Sequence, residues 1–190
     1  MEIRIHDLIT LSRVNGPGLR LAIYFQGCNF KCTGCINPQT HDSNMGTIYD
    51  INEIFKLILN QSPIIEGVTF TGGEPLLQKE ALFSLNSYAR ALGLTSILST
   101  GFEEWELKQD YKVFSRLSQE FDVIIAGRYH HSERIAKGFV GSKNKKIYCF
   151  SQIYTEFDIL NKPNVEIEIF NGKIRASGTG IHDLIDWSTF

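Results

Sequence analysis

The sequence predicts an α/β fold whose strands and helices alternate around a mostly parallel sheet. Three observations carry that prediction. Apolar runs at 19–25, 64–70, 94–98 and 123–126 are short and almost unbroken, as strands covered on both faces are. Between successive runs, apolar residues recur at helical spacing. Each run also opens into a loop rich in cysteine, glycine or hydroxyl residues, the place where α/β folds put their chemistry. Such alternation calls for parallel strands joined by right-handed crossovers. With 190 residues, 43% of them hydrophobic, the chain is expected to form one domain over 1–190 with a proper core.

Taken in order, residues 2–11 alternate loosely around Ile3, Ile5 and Leu8, and the SRVNGPG stretch then makes a turn. The strand at 19–25 delivers the chain into a cysteine-bearing loop. Asp50 and Glu53 form a capping box for a helix bearing Ile51, Ile54, Phe55, Ile58 and Leu59, which Pro63 ends. The strand at 64–70 runs into TGGEP at 71–75. A helix traced by Leu77, Ala81, Leu82, Leu85, Ala89 and Leu92 follows and closes at Gly93. The strand at 94–98 ends in STGF, residues 103–121 are mainly helix, and the strand at 123–126 ends in GRY. Residues 127–146 are polar, basic and glycine-containing, and read as one long loop of the length that lids and binding loops have. Val165, Ile167 and Ile169 then alternate with Glu166 and Glu168 up to Asn171-Gly172, giving a C-terminal β-hairpin with one wet face. The last ten residues, around Trp187, carry no signal.

Three of the four cysteines, Cys28, Cys32 and Cys35, stand on the spacing C-x3-C-x2-C. Thiolates are soft ligands, and three on one short loop bind three irons of a cubane cluster while the fourth iron stays open to another molecule. Gly27, Gly34 and Pro38 let the backbone wrap closely around a bulky group. The same triad with His41 also makes a Cys3His zinc set, although the second ligand knuckle that structural zinc sites use is missing. Without a signal peptide the chain reads as intracellular, which disfavours a disulfide framework.

In TGGEP, Gly72 and Gly73 leave backbone groups open to a ligand's amino and carboxylate groups, and Glu74 is placed to accept from an ammonium; the plain alternative is a turn. Ser99 and Thr100 offer hydroxyls to a ribose or carboxylate, or cap the next helix. Asn37 supports the cysteine loop or caps a turn before Pro38. Arg20 and Lys31 flank that loop, either tuning a bound group or simply solvated. The basic residues Arg128, Arg134, Lys137, Lys143, Lys145 and Lys146 suit an acidic partner, an anionic substrate, or water. His130 and His131 read as surface residues, and Cys149, within IYCF, as a small buried hydrophobe.

The cysteine spacing after a strand resembles the radical S-adenosylmethionine (SAM) enzymes. The flanking NGPGLR, FQGC and GCINP are similar to the activating enzymes of glycyl-radical proteins, of the type serving anaerobic ribonucleoside-triphosphate reductase. Gly34 stands where most radical SAM loops carry an aromatic residue, a departure that this subgroup shares. The resemblance implies a partial, open TIM-type barrel holding a 4Fe-4S cluster on Cys28, Cys32 and Cys35. It implies S-adenosyl-L-methionine contacts from Gly34, Ile36, Asn37, Gly72, Gly73, Glu74, Ser99 and Thr100. It further implies reductive cleavage of SAM to a 5′-deoxyadenosyl radical, and abstraction of a hydrogen atom from a glycyl-radical loop of a partner protein. An external one-electron reductant such as flavodoxin or ferredoxin would feed the cluster under anaerobic conditions. His41 and Asp42, where activases tend to carry an aromatic residue, and the extra C-terminal hairpin keep open a relative acting on a small molecule or ribosomal peptide. A zinc or electron-transfer module is the third reading. No apolar run approaches the roughly 20 residues of a bilayer span, and a net charge of -2 gives no global pull toward nucleic acid, so a cytoplasmic protein with neither a membrane nor a nucleic-acid partner is expected.

Overall fold

A computed structural model of the chain describes residues 1–170 and 172–181. The expectations at Asn171 and around Trp187 lie outside the described residues. The first strands are β1 (Glu2–Ser12) and β2 (Arg20–Phe25), paired antiparallel, with β3 (Thr47–Asp50) along the other edge of β1. The helix α1 (Ile51–Gln61) begins at the expected capping box: Asp50 accepts from the Asn52 amide at 2.8 Å and Glu53 from the Asp50 amide at 2.9 Å. There follow β4 (Gly67–Gly72), α2 (Lys79–Ala91) and β5 (Thr95–Thr100). Residues 103–121 give two helices rather than one, α3 (Glu104–Gln109) and α4 (Tyr111–Glu120), because Asp110 interrupts the chain and caps α4 through the Val113 amide at 3.1 Å. β6 (Val123–Ala126) ends the repeating unit.

The seven-stranded sheet runs β3-β1-β2-β4-β5-β6 and ends in β9 (Lys146–Cys149), so it is open, with β3 and β9 at its edges. The central strands β2, β4, β5 and β6 are mutually parallel, while β1, β3 and β9 join antiparallel at the flanks. All four central strands therefore present their carboxyl ends to one side. The cysteine loop, TGGEP, STGF and the Gly127-Arg128 turn emerge there next to one another. Below them, Leu21, Ile23, Phe25, Val68, Phe70 and Leu98 pack with Ile54, Ile58, Leu82 and Leu85 from the helices and with Phe121, which follows α4. On the opposite face Ile97, Val123 and Ile125 meet Val140, Tyr154 and Ile159.

The stretch 127–146 is not one loop. It holds a two-stranded ribbon, β7 (Arg134–Lys137) and β8 (Val140–Ser142), with Ile135, Phe139 and Val140 packed into the core and polar, basic residues on either side. Its turn needs Gly138, at φ 56°, because a Cβ there would lie 2.1 Å from the Ile159 carbonyl oxygen. α5 (Glu156–Leu160) was equally unannounced, being a single short turn capped by Thr155 and Asp158. Cys149 is exposed rather than buried: β9 is an edge strand, and its side chain faces away from the core. The C-terminal hairpin, β10 (Glu166–Phe170) with β11 (Lys173–Ser177), forms in the expected register. Its outward face is the apolar one. Ile167, Ile169 and Ile174 are 57%, 78% and 74% exposed, while Glu166 turns inward to accept from Ser12 Oγ at 2.9 Å and Arg175 pairs with Asp7.

Candidate functional site

The cysteine loop is built from its base upward. Gly27 donates to the Thr40 carbonyl at 2.8 Å and Cys28 to the His41 carbonyl at 3.2 Å, closing the loop across its neck. Gln26, the last residue before it, is buried and donates to the carbonyls of Gln39 and Asp42 at 3.0 and 2.7 Å. In the sequence Gln26 is marked only as a polar side chain directly after a buried strand. Inside the loop the Cys35 amide donates to Cys32, and Lys31, Gly27 and Gly34 all adopt positive φ.

TGGEP lies against this neck, backbone on backbone. Gly73 donates to Phe25 and Glu74 to Gly27, both at 2.8 Å. A Cβ on Gly73 would come 2.3 Å from the Gly27 carbonyl oxygen, and one on Gly72 2.5 Å from the Phe25 amide nitrogen, so the glycines permit the close approach of the two loops. Glu74 is buried. Its carboxylate accepts from Leu76, Thr100 Oγ1 and Gly101 at 2.9, 2.9 and 2.7 Å, tying the end of β4 to the end of β5. Burial pushes this carboxyl up to about 7, against the pull of those donors. It is spent on the scaffold and does not line the cavity described next. STGF does not cap the following helix; Glu103 does, with Glu106 completing the box.

Above the four strand ends lies a cavity of about 230 Å³. Cys28, Cys32 and Cys35 all line it, together with Ile36, Asn37, Gly72, Gly73, Ser99 and Thr100. All three cysteines are free and half-buried, and burial pushes the thiols of Cys28 and Cys35 up. His41 lines the same space, and its Nε2 is buried without a hydrogen-bond partner. Among the described residues no three His, Cys, Asp or Glu side chains gather closely enough to hold a single metal ion, as a Cys3His zinc site requires. The donor set, three soft thiolates lining one cavity, suits a thiolate-held cluster.

The cations singled out in the sequence fall in different places, and Lys31 is exposed on the cysteine loop. Arg20 is buried at the amino end of β2, the far end from the cysteine loop, and is neither solvated nor near the cavity. The strand itself separates the two, a distance that sequence proximity conceals. Arg128 is held by both oxygens of Glu106 and lies over the ring of Phe30 in the cysteine loop, 4.2 Å from its centre. Lys145 turns into the cavity, whereas Lys137, Lys143 and Lys146 of the same basic stretch are exposed. His130 and His131 are exposed as expected, yet the His131 ring also covers Gly34, where a Cβ would meet Nδ1 at 2.7 Å. No helix among the described residues is long and apolar enough to cross a membrane.

Residues 14–148 match the family model of a 4Fe-4S single cluster domain. The anaerobic ribonucleoside-triphosphate reductase-activating protein of Enterobacteria phage T4 is 32% identical over 140 residues, 71% of this chain and 86% of that protein. The pyruvate formate-lyase-activating enzyme of Clostridium pasteurianum is 36% identical over 101 residues, 51% of this chain and 42% of that enzyme. A putative glycyl-radical enzyme activating enzyme of Haemophilus influenzae is 34% identical over 107 residues, covering 55% of this chain and 41% of the relative. The match thus spans less than half the length of the last two relatives.

Proposed function

The chain belongs to the 4Fe-4S single cluster domain family, in its radical SAM group of glycyl-radical-enzyme activating proteins, and from that premise we propose that it generates a glycyl radical on a partner enzyme of the anaerobic ribonucleotide reductase type. The observation that carries this reading is the meeting of Cys28, Cys32 and Cys35 with the ends of β4 and β5 in one cavity. A 4Fe-4S cluster and S-adenosyl-L-methionine, when bound, supply a 5′-deoxyadenosyl radical that removes a hydrogen atom. Every other contribution comes from the chain.

Cys28, Cys32 and Cys35 would hold the cluster, on a loop fixed by Gln26 and by the backbone bonds to Gly27 and Cys28. Ile36 and Asn37 on one wall, and Gly72, Gly73, Ser99 and Thr100 on the other, would contact SAM, whereas Gly34, expected to join them, lies against His131 and is not among the residues lining the cavity. Glu74 would act behind them by holding the β4 and β5 ends together rather than by touching an ammonium. The whole chain, 1–190, is read as one radical SAM domain of the cytoplasm, fed by an external one-electron donor such as flavodoxin or ferredoxin and independent of nucleic acid and membrane.

A second reading, a small-molecule or ribosomal-peptide substrate, draws on one observation: Ala176, Ser177 and Thr179 of the C-terminal region also line the cavity. One experiment separates the two. The anaerobically reconstituted, reduced protein is examined by electron paramagnetic resonance with and without SAM, then with a candidate glycyl-radical enzyme. The activase reading expects a cluster signal that changes on adding SAM, followed by a glycyl radical signal on the partner. SAM cleavage with no glycyl radical on any such partner overturns it in favour of the second reading.

A further inference from the structure

Lys145 belongs by sequence to the basic stretch 127–146, but its side chain points inward. Its Nζ donates to the Gly127 carbonyl at 2.7 Å, and the neighbouring Asn144 donates to the Arg128 carbonyl at 2.8 Å. Together the two side chains clamp the turn at the carboxyl end of β6. Lys145 also lines the cavity that holds the three cysteines.

Its charge has no carboxylate partner among the described residues. Arg128 is neutralised by Glu106, and Arg175, which also lines the cavity, pairs with Asp7 and Glu168. Among the described residues the one hydrogen bond of its ammonium is to a neutral carbonyl, which leaves two of its three protons for another acceptor. The groups whose fields act on it are Glu74, Cys32, Glu103 and Cys35, and burial opposes its charge. Glu74 is already engaged by the donors of Leu76, Thr100 and Gly101, whereas Cys32 and Cys35 line the same cavity as Lys145. A half-buried ammonium kept without a carboxylate is costly unless an anion arrives to meet it.

We propose that Lys145 is the counter-charge of the cysteine-held cluster, a positioning residue whose ammonium stabilises the added electron and so sets the reduction potential. The inference rests on the cluster reading above. Reduction adds one negative charge to a thiolate-bound centre, and a fixed cation nearby favours that more negative state.

The test is a potentiometric titration of the anaerobically reconstituted protein, followed by its electron paramagnetic resonance signal, for the wild type, K145R and K145M. K145M is expected to lower the ratio of reduced to oxidised cluster about tenfold at any fixed potential, which is about 59 mV for one electron. K145R, which keeps the charge, should stay within about threefold of the wild type. K145Q, which retains a donor toward Gly127 without the charge, is expected to follow K145M and replaces it if K145M does not hold iron. An unchanged potential in K145M and K145Q overturns the proposal. If the potential is unchanged and SAM affinity falls instead, the proposal is likewise overturned, and Lys145 passes to the carboxylate of SAM. Failure of the wild type to assemble a cluster would refute the family reading, a result that cannot be confused with either of these.

Discussion

The Glu74 carboxylate accepts a hydrogen bond from Thr100 Oγ1 at 2.9 Å, joining the end of β4 to the end of β5 from beneath the cavity floor. Burial raises this carboxyl from 4.5 to about 7. A carboxyl whose pKa is higher folded than unfolded holds its proton more tightly in the folded state. Its contribution to stability is therefore complete below about pH 4.5 and is lost as pH rises through about 7. The melting temperature of the metal-free protein is expected to fall between about pH 5 and 8. Glu74→Gln cannot ionise and should flatten that fall, while lowering stability by about 1 to 3 kcal/mol because an amide meets three donors poorly. Thermal melts across this range check the point, and an equal slope in both proteins would exclude Glu74 as its source.

The backbone contact between TGGEP and the cysteine loop gives the second prediction. Gly73→Ala would place a Cβ 2.3 Å from the Gly27 carbonyl oxygen, so one of the two loops must move. The strands below are unaffected, and the protein should still fold. Iron and sulfide incorporation is expected to drop several-fold, measured as metal per chain after anaerobic reconstitution. Gly93→Ala is the control: Gly93 closes α2, and a Cβ there meets nothing within 4 Å. It should lose only helix-end stability, about 1 kcal/mol, from its positive φ.

Replacing Cys28, Cys32 or Cys35 with Ala should abolish SAM cleavage, because a cubane held by two protein thiolates is not retained. Cys149→Ala should leave cleavage intact, since Cys149 is exposed on the edge strand β9. Iron content and the yield of 5′-deoxyadenosine are the two readouts. Equal loss from all four variants would contradict the ligand assignment.

What the sequence made legible follows from the range of each signal. The parallel core was visible because strands such as 19–25 and 64–70 are apolar on both faces, a pattern written in consecutive residues. The cysteine triad and the two glycines of TGGEP were visible for the same reason. The edges were not. β3 buries only Tyr49 in part and β7 is four residues with charged ends, so neither carries a readable apolar pattern, and only pairing with β1 or β8 makes them strands. Long-range partners were also hidden. Nothing local distinguishes Lys145, which enters the cavity, from Lys143 and Lys146, which do not. Glu74 looked like a ligand because its neighbours are glycines, yet its real partners lie on the next strand.

Arg20 supplies the last prediction. Its guanidinium is fully buried and, among the described residues, is hydrogen-bonded by neutral acceptors with no carboxylate in ion-pair contact. Nε donates to Thr69 Oγ1 at 2.7 Å, Nη1 to Pro17 O, Thr95 Oγ1 and Tyr154 Oη at 3.1, 3.1 and 3.3 Å, and Nη2 to Val68 O and Thr95 O at 2.9 and 3.2 Å. One side chain thus clips the turn before β2, the starts of β4 and β5, and the segment before α5. A Cβ on Gly67 would sit 2.5 Å from Nη2, so this strand start is shaped around the guanidinium. Arg20→Met strands several buried acceptors and should cost roughly 3 to 5 kcal/mol in urea denaturation. Arg20→Lys should recover less than half of that, because three donors on a point charge cannot reproduce the planar fork. Tyr154→Phe removes one acceptor and should cost about 1 kcal/mol. The clip lies at the amino ends of the strands, opposite the cysteine loop, so the cluster signal of whatever protein remains folded should keep the wild-type line shape. A changed line shape in Arg20→Lys would mean that the two ends of the sheet are coupled, and that Arg20 acts on the site after all.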